Sequence, residues 1–141
     1  MFRFQFHNGG RFISRGHGRH PVRVIDSYEL IHVVTGQLEL FEEERTFRIT
    51  AGERVILFPG RRHGGASAYP PELSFFWIHF QPVEESAAEE LAAMEQYAKV
   101  REPERFQAYL QMLLAEQKNG DAAACDCLLY PQKPPLSVSV P

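Results

Sequence analysis

The chain has 141 residues, enough for one domain with a real core. Its hydrophobic fraction of 44% and charged fraction of 23% exclude a disordered chain and predict a globular, soluble one. A formal net charge of -3 argues against a dedicated nucleic-acid surface, and no apolar run approaches a membrane span.

Residues 1–25 carry Arg3, Arg11, Arg15, Arg19 and Arg23 with His7, His17 and His20, and no Asp or Glu. They read as a basic N-terminal arm, either a solvated stretch or one that lines or lids a pocket for a polar or anionic ligand. Met1 to His7 lacks the apolar core of a secretion signal, so a cytoplasmic location is expected.

From residue 28 the pattern alternates with a period of two. Tyr28 to Thr35 predicts a strand that ends at Gly36, and Gln37 to Glu42 its hairpin or corner partner. Glu42-Glu43-Glu44 marks a solvated turn. Strands follow at Thr46 to Thr50 and at Arg54 to Phe58, the second closed by Pro59-Gly60. Tyr69-Pro70-Pro71 stops the chain before an aromatic strand from Leu73 to Phe80, which holds the single tryptophan, Trp77. Short strands separated by turn signals predict a barrel of the jelly-roll kind.

Composition changes after residue 83, where Ala, Glu, Gln and Leu dominate. Ser86 with Glu89 three residues later predicts a capping box and a helix running to about Val100. Pro103 suits the first turn of a second helix over 103–118. There Phe106, Leu110 and Leu113 fall on one face as candidate dimer contacts or intramolecular core. Asn119-Gly120 reads as a helix stop, with a further short helix from Asp121 to Tyr130. The tail 131–141, rich in proline, is expected to be loose. Cys125 and Cys127 stand one residue apart; a bridge between them would be strained, and two sulfurs make no zinc site. The fold expected is mainly β with C-terminal helices: a barrel with its arm over 1–82, a helical segment over 84–130, and the tail.

Three stretches in order resemble the cupin fold, and more closely the amino-terminal effector-binding domain of AraC-family transcription regulators. They are Tyr28 through Gly36, Gly52 through His63, and Pro70-Pro71 with Trp77-Ile78-His79-Phe80. The resemblance implies a cupin-type double-stranded β-helix followed by two or three dimerisation helices. It implies a homodimer that binds a small-molecule effector, with DNA contacted only through a helix-turn-helix domain that this sequence does not contain. Metal-binding cupins use two His and a Glu in a first motif and a His in a second. Here Glu29 and His63 keep the spacing, but the two histidine positions fall on Val22 and Val24 or on Arg23 and Ile25. Two positions of four do not hold zinc or iron, so no metal and no cofactor are expected. His17 and His20 are the nearby histidines that would have to substitute.

Alternation places Glu29, Ile31, Val33 and Thr35 on one face, and Phe75, Trp77 and His79 on one face of the aromatic strand. A flat ring with a few polar groups suits a sugar-like metabolite. The ligand-binding set expected is therefore Arg23, Glu29, Thr35, His63, Phe75, Trp77 and His79, with Trp77 against the ligand by resemblance, or else simply core. Gly64 and Gly65 are expected to leave room beside the strand mouth. No catalytic residue is assigned. Ser27 and Ser74 show no triad partners in sequence, whereas His63 with Glu29 would serve a metal-free isomerase. A stand-alone carbohydrate-binding cupin is the third reading.

Overall fold

A computed structural model describes residues 3–117 and Leu129. Its strands are β1 (Phe4–Ile13), β2 (Tyr28–Thr35), β3 (Gln37–Glu42), β4 (Arg45–Thr50), β5 (Glu53–Leu57), β6 (His63–Gly65), β7 (Ser74–Pro82) and β8 (Tyr97–Lys99). Two helices, α1 (Glu85–Ala93) and α2 (Pro103–Ala115), flank β8. The strands form a five-stranded sheet, β1-β7-β2-β5-β8, and a three-stranded sheet, β4-β3-β6. Every pairing is antiparallel. This is the cupin-type, mainly β architecture with C-terminal helices.

The alternation of β2 and β7 divides the apolar residues into two layers. Ile31, Val33 and Phe75 face inward and meet Leu38, Leu40 and Ile49 of the smaller sheet. Leu30, Phe76 and Ile78 face outward beneath Leu91, Phe106 and Leu110 of the helices. Each sheet face therefore has its own cover, and the large sheet lies in the middle.

The basic N-terminal stretch is not an arm throughout. Phe4–Ile13 is strand β1, the edge partner of β7 over its whole length. Its Arg, Asn and Gly residues hide the pattern, and a register irregularity between Phe6 and Asn8 switches which residues face inward. Among the described residues of that stretch, Arg3 and residues 14–25 lie outside the named strands.

The helix expected from Ser86 to about Val100 is shorter. It begins after Glu84, makes no side-chain cap hydrogen bond, and ends at Ala93. Ser86 instead donates to Glu84 Oε1 at 3.3 Å. Tyr97–Lys99 becomes strand β8, because the free edge of β5 offers Glu53, Arg54 and Val55 as ladder partners. That tertiary pairing outweighs the local helical preference of an Ala- and Glu-rich stretch. Pro103 does open α2, in its first turn.

Phe106, Leu110 and Leu113 need correction as dimer contacts. All three are buried by this chain's own sheet and helices, Leu110 and Leu113 completely. An amphipathic stripe seats wherever apolar surface is available, and here the outer face of the large sheet supplies it. The expected stop at Asn119-Gly120, the cysteine pair, the tail 131–141 and, apart from Leu129, the third helix lie outside the described residues.

Candidate functional site

Glu29 sits in the middle of the large sheet, between Leu57 on β5 and His79 on β7. Its side chain points inward and the residue is 1% exposed. A carboxylate there requires partners, because burial of a lone charge is costly. Four basic groups from three elements face it. His20 Nε2 lies 3.7 Å and His79 Nε2 3.4 Å from Oε2. His63 Nε2 lies 3.6 Å and Arg23 Nη2 3.8 Å from Oε1.

These separations exceed ordinary hydrogen-bond lengths. Glu29 Oε1, both ring nitrogens of His63, and His79 Nε2 are buried and make no hydrogen bond. The cluster thus carries polar capacity that the protein leaves unused, which is uncommon in a core and characteristic of a site. Burial pushes the Glu29 carboxyl up, but His20 and His79 pull it further down, to about 2. Burial holds the His63 imidazole below its ordinary value against the opposing pull of Glu29. Near neutral pH the centre is therefore a carboxylate beside a neutral imidazole. Among the described residues no group of three His, Cys, Asp or Glu side chains is arranged to hold a metal ion.

The structure brings Arg23, Glu29, His63 and His79 together, and sets Trp77 beside them. The Trp77 and His79 rings lie 5.2 Å apart, both half-buried. Phe75 lies deeper, against Phe12 at 5.0 Å and Tyr69 at 6.2 Å, where it packs the inner core. Thr35 stands apart and is exposed. A register irregularity between Val33 and Thr35 breaks the alternation that predicted it inward. Its hydroxyl donates to the Glu72 carbonyl at 2.7 Å and shares a 2.8 Å hydrogen bond with Ser74.

His20 was read from the sequence as part of the basic arm and as a nearby substitute metal ligand, and not as one of the ligand-binding residues. It is buried, its ring 5.6 Å from that of His63. No local periodicity marks it, because it lies in the irregular stretch between β1 and β2. The nearest available signal was His20-Pro21, an extended dipeptide close before the Glu29 strand. His17 is exposed.

What holds this stretch is the glycine pair of β6. Arg23 and His63 exchange backbone hydrogen bonds, and Gly65 N–H donates to the His20 carbonyl at 3.0 Å. A Cβ at Gly64 would lie 2.9 Å from Val22 Cα, and one at Gly65 2.9 Å from His20 N. The room expected beside the glycines is filled by residues 19–22, which form a wall of the site.

A family model described as the AraC-like ligand binding domain matches residues 9–131. An uncharacterized HTH-type transcriptional regulator, YisR of Bacillus subtilis (strain 168), is 35% identical over 75 residues. That match takes in 49% of this chain and 26% of the relative, so the chain spans about a quarter of that protein's length. Among solved structures, the cupin domain of Schizosaccharomyces pombe Cnp3 is similar with a TM-score of 0.47 and 13% identity, over 66% of this chain and 64% of that one. An RmlC-like cupin from Shewanella frigidimarina gives 0.44 and 19%, over 59% and 78%.

Proposed function

This chain belongs to the AraC-like ligand-binding domain family, and from that premise we propose that it is the sensing part of a transcription regulator, taking a small polar metabolite beside Glu29. One observation carries the reading: the unpaired, buried polar atoms of Glu29, His63 and His79 next to a half-buried indole.

The hydrogen-bond inventory narrows the chemistry. An ionised carboxylate only accepts, while a neutral imidazole has one donor and one acceptor. A hydroxyl both donates and accepts, so adjacent hydroxyls match this set. The face of Trp77 suits the apolar side of a pyranose or furanose ring. The effector we propose is a sugar or a related polyhydroxylated metabolite.

Sensing is preferred over turnover. The family model that matches residues 9–131 describes a ligand-binding domain, and Glu29 as acceptor with His63 as donor and acceptor serves such a ligand. DNA recognition would reside in another part of the regulator, outside the residues matched by the family. Pairing with a second copy, which the family resemblance implies, would use the side of α2 that the sheet leaves exposed, around Ala108, Gln111 and Ala115.

A thermal-shift screen of sugars and polyols tests the proposal, since a ligand bound to the native state raises apparent stability. At least one should raise the midpoint of the wild type and fail to raise that of Glu29→Gln. A panel in which only aliphatic amines or aromatic acids act would overturn the sugar-like reading.

A further inference from the structure

β1 carries adjacent glycines, Gly9 and Gly10, opposite Ile78 and Trp77 of β7. Successive strand residues face opposite sides of a sheet, so the pair looks in two directions. A Cβ at Gly9 would meet the Trp77 carbonyl oxygen at 2.5 Å, Ile78 Cγ2 at 2.8 Å and Leu114 Cδ2 at 3.1 Å. That is the outer side, under α2, where backbone and helix are fixed. A Cβ at Gly10 would meet three consecutive indole atoms of Trp77 instead: Cζ2 at 3.1 Å, Cε2 at 3.2 Å and Nε1 at 3.2 Å. Near-equal distances to three consecutive ring atoms mean that the face of the indole, not an edge, rests on β1.

We propose that Gly10 is a specificity-determining position of the site, because the absence of a side chain there sets how far the Trp77 ring stands over the Glu29 cluster. The contact is close but not prohibitive. Any side chain at residue 10 requires the half-buried indole to give way, whereas the β1 and β7 backbones stay paired. The direction away from β1 is toward β2, where Ile31 pairs with Trp77 and Glu29 with His79. A larger residue would therefore narrow the site without contacting the effector or the carboxylate. Gly10 thus acts through Trp77 as a positioning residue. The proposal rests on the reading that the effector lies beside Trp77.

Gly10→Ala and Gly9→Ala, compared with the wild type, form the test. Trp77 is the one tryptophan of the chain, so its emission and its quenching by acrylamide report ring position directly. Gly10→Ala should shift the emission maximum and change the quenching constant while the thermal midpoint stays close to that of the wild type. Gly9→Ala should lower the midpoint, because it drives a side chain into backbone and helix. If Gly10→Ala leaves emission and quenching unchanged, or loses as much stability as Gly9→Ala, the proposal fails. A displaced indole combined with unchanged affinity for a sugar found in the thermal screen would instead count against the reading of Trp77 as the effector's neighbour.

Discussion

Glu29 concentrates the energetics of the site in one side chain. Its carboxyl is held at about 2 against an ordinary value of 4.5, so folding favours the ionised form. The resulting stability is complete above about pH 4.5 and is lost as pH falls through about 2. A shift of this size corresponds to on the order of 3 kcal/mol. Urea denaturation of wild type and Glu29→Gln between those limits should show their difference shrinking by about that amount toward acid. A difference that stays constant over the range would mean that Glu29 is not the ionised centre described. Much of this centre was legible in the sequence. Glu29, His63 and His79 fall out of strand alternation and motif spacing, because those rules fix which way a side chain points. His20 did not, because residues 14–27 obey no period. Thr35 was misplaced because a strand irregularity is invisible to a rule that counts by twos.

At the level of elements, α2 is a packing element before anything else. Its contact with the sheet includes His32, which lies on the outer face of β2, fully buried against Phe106 with ring centroids 4.9 Å apart. Its Nε2 stands 3.0 Å from Gln107 Nε2, and Arg54 and Phe76 flank it across the sheet. Burial lowers the imidazole to about 4, although the Glu53 backbone pulls the other way. The unfolded chain therefore takes up a proton that the folded one refuses, and stability falls as pH drops from about 6.5 to 4. His32→Gln should flatten that part of the profile relative to wild type, as read from melting temperatures, whereas equal slopes would remove His32 from the account. Leu110→Asp provides a second check. A charge placed in this core should cost several kcal/mol and unfold the domain. Folded monomers in sedimentation would instead restore Leu110 as a dimer contact. The amphipathic period of α2 was readable, but not what its stripe would meet. The end of α1 was unreadable for the related reason that a three-residue strand is decided by the edge it joins.

Over the whole molecule, the fold turns pieces distant in sequence into one enclosure. β2 supplies the carboxylate, β6 and β7 two imidazoles, and residues 19–23 the remaining imidazole and a guanidinium. Gly65 keeps that last piece in place. Gly65→Ala should push the His20 backbone off β6, cost about 1–3 kcal/mol, and abolish effector-induced stabilisation. Full retention of that stabilisation would show that residues 19–23 are not a wall of the site. The central claim, that the effector lies between Glu29 and Trp77, is tested most directly by titrating a sugar identified in the thermal screen into wild type, Trp77→Phe and Glu29→Gln by calorimetry, while following the tryptophan emission of the wild type. A saturable change in wild-type emission is predicted, with affinity about ten- to a hundredfold weaker in Trp77→Phe and binding lost in Glu29→Gln. Emission that stays constant through saturation, together with undiminished binding by both variants, would contradict it.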